Sequence, residues 1–471
     1  MKHLKPYPAH KGSNELHIGD IPKHWVIVPL CAIAKPKTIN NQCGRELLSV
    51  YLNLGVVPFA SVKEKRTNVT SEDLSNYQAV DPGDFVLNNQ QAWRGSVGVS
   101  MHKGIVSPAY LVLSLGSRIH PRYANHLLRE RSMVAQYLIA SKGVGSIQRN
   151  LYWPHLKRIP IILPGLSEQS SIVRFLDHAD RKIRRYILAK QKLIKLLEEQ
   201  KQTIIHRAVT RGLDPDVRLK PSGVEWLGDV PEHWELKRVK QAAKILRGKF
   251  THRPRNDPAL YDGAYPFIQT GEVARAEKEI TQYRQTLNAR GLAVSKMFPS
   301  GTLVMTIAAN IGDVALLEFE ACFPDSIVGF IPQTGVERDF LYYLFRAMKV
   351  ELLREAPVNT QGNLNVDRIG SRAIALPPAN EQDLIVLSIE ADTARLSDGI
   401  KHARREIDLL HEYRTRLIGD VVTGKLDVRE AAKQLPAEDQ ELPPIDELDE
   451  INDLEEDAFD DLDGAPEEPE P

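Results

Sequence analysis

Between residues 168 and 211, apolar side chains return at steps of mostly three, four and seven: Ile172, Leu176, Ala179, Ile183, Ile187, Ile194, Leu197, Ile204 and Ala208. No proline or glycine interrupts the stretch, and Gly212 closes it. This spacing predicts one unbroken helix with a narrow apolar seam. A second stretch repeats the pattern at Ile385, Ile389, Leu396, Ile400, Ala403, Ile407, Leu410, Leu417 and Val421, less cleanly, because Gly399 and Gly419 lie inside it. Each helix would run to about 65 Å at about 1.5 Å per residue. So narrow a stripe needs a partner, and each copy is the other's nearest match. The two are therefore expected to pack antiparallel as a coiled coil, with Ile183, Ile187, Ile194, Leu197 and Ile204 on one seam. Leu396, Ile400, Ile407, Leu410 and Leu417 form the other. Lys190, Gln200 and Arg414 are polar seam positions that either fix register or reach out to water. Ser167 and Asn380 are the predicted N-caps, and Glu168-Gln169 and Glu381-Gln382 are read as helix-start features.

The segments before each helix have a different texture. Short apolar runs at 84–87, 110–115, 303–307 and 327–331, broken by Gly, Pro and Asn, predict strands. Helices are predicted at 123–141 and 339–355. The chain also repeats itself. Ile18-Gly19-Asp20-Ile21-Pro22-Lys23-His24-Trp25 returns as Leu227-Gly228-Asp229-Val230-Pro231-Glu232-His233-Trp234, 209 residues on from 18 to 227. Leu163-Pro164, Glu168-Gln169 and Thr210 return as Leu376-Pro377, Glu381-Gln382 and Thr423, the middle pair 213 residues on from 168 to 381. Such offsets mean a tandem duplication. The expected architecture is α+β, with two tandem α/β-type domains joined by two long antiparallel helices in a pseudo-two-fold repeat. The predicted boundaries are an N-terminal extension at 1–17, domains at 18–166 and 214–379, helices at 167–213 and 380–428, and an acidic tail at 429–471 whose composition predicts disorder. The His-Trp pairs, with Trp153 and Trp226, are read as aromatic anchors for the domains.

Charge changes the picture. Seventeen Asp and Glu, with no Lys or Arg, lie from Glu438 onward. The rest of the chain then carries 61 basic against 45 acidic residues, about +16, which points to a polyanionic partner. The three cysteines, Cys31, Cys43 and Cys322, are scattered, fit a reducing compartment and form no metal motif. No apolar run is long enough to span a bilayer, and the N-terminus lacks a signal-like core, so a cytoplasmic protein is expected.

The repeated motifs carry a resemblance. Lys220-Pro221-Ser222-Gly223 leading into the His233-Trp234 motif, its N-terminal copy, the Leu-Pro…Glu-Gln helix starts and Thr423-Gly424-Lys425-Leu426-Asp427 resemble the specificity subunit of type I restriction–modification enzymes. The turns at 145–151 and 361–364 match as well, and the resemblance covers roughly residues 1–430. It implies two target-recognition domains, each reading one half of a bipartite asymmetric site in double-stranded DNA. The helices would set the spacer and dock two modification subunits and two restriction/motor subunits. The subunit is then not itself catalytic and binds no cofactor; S-adenosylmethionine, ATP and Mg²⁺ are expected on the partners.

The residues agree with a reader rather than a catalyst. There is no methylase loop, since Pro377-Pro378 is followed by Ala379. The stretch 419–426 approaches a P-loop, but Leu426 replaces the Ser/Thr that would hold Mg²⁺, and the segment ends a helix instead of following a strand. The histidines are dispersed, and no metal site is expected. Base readout needs amides and Arg in loops, which makes Asn88, Asn89, Gln90, Trp93 and Arg94 candidates in the first domain. Lys63, Lys65, Arg66 and Lys103 are candidate phosphate contacts. In the second domain Arg247, Lys249, Arg253 and Arg255 are the strongest phosphate candidates, with Gln269, Thr270 and Asn310 nearer the bases. The alternatives are a coiled-coil scaffold with protein-binding domains, or a stand-alone DNA-modifying enzyme. Turnover by the isolated chain separates the second from a reader, and indifference of the complex to DNA sequence separates the first.

Overall fold

The structure, a computed structural model, describes residues 4–436 apart from 14–17, 43, 53, 63–72, 145–147, 309 and 355–363. It divides into two compact units, Met1–Ala189 with Glu406–Pro471, and Lys190–Arg405.

In the first unit a four-stranded antiparallel sheet runs in the order Ala34–Pro36, Tyr110–Leu115, Asp84–Asn88, Val97–Val99. Phe85 and Leu87 point to one side, into the core shared with the helices, while Val86 and Val112 point to the other, the alternation expected of a pleated strand. A second sheet orders Gly55–Pro58, Glu46–Tyr51, Gly104–Val106, Gln78–Val80. The pair Val26–Pro29 with Pro160–Leu163 closes the domain immediately before the first long helix.

The second unit repeats the plan. Its main sheet runs Ala243–Arg247, Ile327–Pro332, Leu303–Thr306, Val314–Leu317, Glu279–Ile280, and its first four strands match the first unit's sheet strand for strand. A second sheet orders Gln285–Leu287, Tyr261–Phe267, Ala321–Cys322, Met297–Phe298, and Glu235–Arg238 pairs with Ala373–Leu376 as the closing pair. The helix Arg338–Arg354 buries Phe340, Leu341, Leu344, Phe345 and Met348. The segment 123–141, expected as one helix, is two: Pro121–Leu128 and Arg131–Ala140. The chain turns extended at Glu130, whose carboxylate caps the second helix at the Ser132 N–H (2.6 Å). The Tyr137 hydroxyl then donates to the freed Leu128 carbonyl (2.8 Å).

The long helices span Leu166–Arg211 and Ala379–Val422. Each starts one residue before its predicted cap, because the carbonyls of Gly165 and Pro378 accept the first helical N–H groups. Ser167 and Asn380 therefore sit in the first turn and are not the caps. The Glu-Gln pairs that follow tie the units together internally. Gln169 donates to the Pro164 carbonyl (2.9 Å) and accepts from the His120 N–H (2.7 Å), just before the helix at Pro121. Gln382 does the same with Pro377 (2.8 Å) and the Glu337 N–H (2.8 Å), just before the helix at Arg338. Glu168 accepts from the Trp25 indole N–H (3.2 Å) and the Tyr7 hydroxyl (2.8 Å), and lies 2.8 Å from His24 Nε2. Glu381 accepts from the Trp234 indole N–H (3.0 Å) and lies 2.8 Å from His233 Nε2. The duplicated motifs are thus one lock used twice.

Antiparallel packing is visible inside each unit. In the first, Ile172, Phe175 and Leu176 from the start of one helix share a core with Leu417, Val421 and Val422 from the end of the other, and Arg414 pairs with Asp180 (2.5 Å). In the second, Ile205 and Val209 share a core with Ile385 and Ile389, Arg404 pairs with Glu198 (3.0 Å), and Lys201 donates to Ser397 (2.7 Å). Ile183, Ile187, Ile400, Ile407 and Leu417 are buried, while Ile194, Leu197, Leu396 and Leu410 are half-buried. Ile204 is only half-buried, and its neighbour Ile205 takes the core position. There the helix packs against the domain core as well as against its mate, which rotates the buried face. Arg414 fixes register through Asp180, whereas Gln200 is exposed. At Gly399 an added Cβ would meet only the Leu197 side chain, at an ordinary contact distance of 3.4 Å, so this glycine interrupts the pattern without changing the helix. Residues 429–433, assigned to the tail by sequence, form a helical turn in the first unit, with Val428 and Ala432 buried.

A charged network fastens the second domain to its helix. Lys278 reaches Asp339 (2.8 Å) and Glu390 (2.6 Å), and Arg338 reaches Asp339 (2.7 Å). Burial pushes the Asp339 carboxyl up, but hydrogen bonds from Arg338 and Lys278 outweigh it, and the net shift is below the usual carboxylate range. A depressed folded value means the stabilisation is present above the ordinary carboxylate pKa of about 4 and is lost as pH falls through the folded value. Asp339→Asn is expected to lower stability near neutrality and to flatten this acid limb, measured by denaturant melts across pH 2–6.

Candidate nucleic-acid interface

The matching central strands present matching loops. In the first unit the turn between Asp84–Asn88 and Val97–Val99 carries the amide-rich residues. Asn88 Oδ1 accepts from the Gln90 N–H (3.0 Å), the Trp93 indole donates to the Gln90 carbonyl (2.8 Å), and Arg94 lies 5.5 Å over the Trp93 ring. Gly95 at φ +107° makes the left-handed turn back into the sheet. Gln90 and Arg94 are exposed, Asn88, Asn89 and Trp93 half-buried. Asn89 Oδ1 is covered and has no partner among the described residues. Lys103 does not join this group. It is exposed past the far end of Val97–Val99, where its charge helps hold Asp81 below the usual carboxylate range, after the Lys37 hydrogen bond that is the larger cause. Lys63, Lys65 and Arg66 lie outside the described residues.

In the second unit the equivalent turn runs from Ile307 to Asp313. It is held by the Thr306 hydroxyl donating to the Asn310 carbonyl and leaves Asn310 exposed. The basic loop lies at the same sheet end, because Thr306 pairs with Ile327 and Arg247 with Val328, one residue on. The segment 322–327 is the hub. Its carbonyls accept from the N–H groups of Ile268 (2.9 Å, Cys322), Lys249 (3.0 Å, Phe323), Ile307 (2.9 Å, Ser326) and Gly248 (2.9 Å, Ile327). Gly248 allows no side chain, since a Cβ would stand 2.0 Å from the Pro324 carbonyl oxygen. This gathers Arg247, Lys249, Arg253, Arg255, Gln269, Thr270 and Asn310 around one sheet end.

Asp325 organises the arginines, and sequence reasoning did not single it out. Its carboxylate accepts from Arg255 (2.5 Å) and lies 3.9 Å from Arg253, and its carbonyl accepts from Arg247 Nε (3.1 Å). One carboxylate beside three guanidinium groups leaves the loop net positive while fixing its shape. The signal was the Pro324-Asp325 turn entering a core strand, legible only once the strand's neighbours are known. Gln269 donates to the Gln285 side chain and its N–H donates to Glu272 (3.0 Å), so it starts the helix Thr270–Arg275 as well as facing solvent.

A second shared detail pins both loops. The Leu151 N–H donates to the Asn89 carbonyl (3.1 Å), and the Leu364 N–H to the Ile307 carbonyl (2.9 Å). Leu151 and Leu364 are buried and end the two Asn-Leu motifs that repeat in the sequence; the first motif, expected as a turn, closes in the strand Gln148–Leu151, while 145–147 and 361–363 lie outside the described residues. Beside Leu364, Arg247, Ile245 and residues 365–367 line a cleft of about 520 Å³. Among the described residues, no group of His, Cys, Asp and Glu is arranged to hold a metal, and no helix is long and apolar enough to cross a membrane.

A family model, the type I restriction modification DNA specificity domain, matches residues 23–197 and again 231–402. The chain belongs to this family. It is therefore a specificity subunit, the non-catalytic component that gives a type I restriction–modification enzyme its DNA sequence. The MjaVIII type I restriction enzyme specificity subunit of Methanocaldococcus jannaschii is 21% identical over 435 residues, 88% of this chain and 96% of that protein. Another protein of that organism, assigned as the MjaX specificity subunit, is 22% identical over 438 residues, again 88% and 96%. A solved chain described under the complex assembly and conformational transition of the type I R-M system shares the fold, with a TM-score of 0.59 at 16% identity, covering 86% of this chain and 99% of that one.

Proposed function

We propose that each unit reads one half of a bipartite, asymmetric duplex site, using the loop between its two equivalent central strands. One observation carries this: the same scaffold, pinned by Leu151 in one unit and Leu364 in the other, displays different side chains. Asn88, Asn89, Gln90, Trp93 and Arg94 occupy the first loop, and Asn310 with the neighbouring arginine loop occupies the second. An identical frame with unlike contents suits two unlike half-sites. The arginines supply phosphate contacts, while the amides supply base contacts.

The long helices connect the readers and carry the docking surface for the catalytic partners. Leu196 and Leu409 are equivalent positions 213 residues apart, and each is 54% exposed. Tyr186, Leu193, Leu387 and Tyr413 are exposed apolar residues on the same two helices. Duplicated apolar patches suit two copies of a modification subunit, joined in the cytoplasm by two restriction/motor subunits. Those partners carry S-adenosylmethionine, ATP and Mg²⁺.

Exchanging residues 18–166 for those of another specificity subunit is expected to change one half-site and leave the other intact, read from the methylated adenines in DNA of cells carrying the system. A change in both halves, or in neither, rules the modular reading out. Adding one heptad to both helices, about 10 Å, is expected to lengthen the tolerated spacer by about three base pairs, at about 3.4 Å per pair, with both half-sites kept.

A further inference from the structure

In the first unit the strand Gln148–Leu151 runs beside the turn Ala92–Arg94, and with Ser141–Val144 it forms a hairpin. The ladder sets the faces. Ser141 and Leu151 pair, and both are buried. Arg149 shares their face and donates to Ser141 Oγ (3.4 Å). The intervening pair, Lys142 and Asn150, therefore points the other way. Tyr152 follows with extended backbone (φ −115°, ψ 137°), which returns it to the face of Asn150. Lys142 is exposed, Tyr152 is 50% exposed and Asn150 is half-buried. Among the described residues none of these three side chains makes a hydrogen bond or ion pair. A cation, an amide and an aromatic hydroxyl thus share one outer strip.

The strip adjoins the reading turn. The Leu151 N–H donates to the Asn89 carbonyl (3.1 Å) and not to its hairpin mate, so Asn89 flanks that strand at about the 4.8 Å spacing of neighbouring chains. Lys142 then stands about 10 Å from the turn, two such spacings, which covers about three phosphates along one strand of a duplex. The surrounding charge favours that partner. From Phe85 to Ser167 the chain holds ten Lys and Arg and a single acid, Glu130, whose carboxylate is occupied by the Ser132 N–H (2.6 Å). The duplication shows what is particular to this half. Asn150 and Leu151 recur 213 residues on as Asn363 and Leu364, whereas Lys142 and Tyr152 correspond in the sequence to Glu355 and Asn365. Asn365 serves instead as a helix cap, accepting from the Asp367 N–H (2.9 Å). The cation and the phenol are therefore additions to the shared frame.

We propose that Lys142 and Tyr152, with Asn150 between them, grip phosphates of the duplex beside the first unit's reading turn and fix where along the site its amides fall. A lysine ammonium, a phenol hydroxyl and a side-chain amide all donate to phosphate oxygens. Such contacts carry no sequence, which matches Asn150 being common to both halves. Lys142 supplies the salt-dependent part, since each phosphate neutralised releases counterion. The grip rests on the proposed meeting of the Asn88–Arg94 turn with the duplex, and it supplies the contacts that hold that turn in register.

The test uses the full chain assembled with its modification subunits, and a duplex of about 30 base pairs carrying the site mapped from methylated adenines. Lys142→Ala is expected to lower the slope of log affinity against log salt by about 1 and to weaken binding about fivefold at physiological salt, with the same site methylated. Lys142→Arg should restore both. Tyr152→Phe removes only the hydroxyl and should weaken binding about threefold with the salt slope kept. Neutral methylphosphonates placed one at a time should weaken the unaltered complex at a few neighbouring phosphates beside one half-site. The Lys142→Ala complex should lose its sensitivity at one of them. An unchanged salt slope, a relaxed recognition sequence, or the same methylphosphonate profile in both complexes would each overturn the proposal. Gln90→Ala keeps the two readings apart. A half-site left strict by that change counts against base contacts from the turn, whereas the salt slope of Lys142→Ala reports the phosphate grip whichever bases are read.

Discussion

Glu168→Ala is expected to destabilise the first unit by about 3 kcal/mol, the scale for stranding several covered donors at once. Glu168 is 8% exposed and serves three groups, the Trp25 indole, the Tyr7 hydroxyl and His24. Trp25 is fully buried, so its N–H has no water to turn to. Arg429 lies 3.9 Å from the same carboxylate and 5.1 Å over the Tyr7 ring, and it is fixed by Asp427 (2.7 Å). One side chain thereby ties residues near both ends of the chain to the start of the long helix. Glu381→Ala removes the matching lock but strands only the Trp234 indole and His233. Its side chain is also wetter, at 25% against 9% exposed. The expected cost is smaller, about 1–2 kcal/mol. Denaturant unfolding with separate probes for the two units should show the midpoint falling more for Glu168→Ala. Equal shifts, or none, would mean that packing of the tryptophans and not the carboxylate holds the lock.

Removing Arg253 and Arg255 together is expected to weaken DNA binding strongly without altering the recognised sequence. Both guanidinium groups are exposed at the sheet end that carries Asn310, and both rest on Asp325. If each meets one phosphate, the double alanine variant should lower the slope of log affinity against log salt by about 2. At physiological salt the loss should be tenfold or more, and methylation mapping should return the same site. Asn310→Ala is the opposite case, with the salt slope held and one half-site relaxed. Should the arginine variant instead change the sequence read, the loop touches bases and the division of labour is wrong.

Much of the architecture was legible because it repeats. A seam sustained over forty residues can only be a long helix, and a motif that recurs with its spacing intact must recur in the fold. The strands at 84–87, 110–115, 303–307 and 327–331 were visible because buried central strands are continuous apolar runs between turn residues. The break at Glu130 was not, because a helix that stops without proline or glycine does so for tertiary reasons. Here those reasons are the buried Leu127 and Leu128 and the Tyr137 hydroxyl reaching back. Ile204 was mistaken for a core position because the seam rule assumes one partner, and this end of the helix has two.

By itself the chain determined that it is duplicated, that its halves are joined by long helices, and that its body is cationic, with basic and amide-rich stretches set between its strands. Those are properties of periodicity, composition and short motifs, which neighbours in sequence suffice to set. Only the tertiary structure decided that Arg247, Arg253 and Arg255 share Asp325, and that Lys103 stands apart from the Asn88 loop. It alone joined Leu151 to the Asn89 carbonyl and Leu364 to the Ile307 carbonyl, each at the start of the turn that follows a central strand. Such facts depend on strand register, in which residues tens of positions apart meet across a ladder, and a one-residue slip would rearrange every one of them.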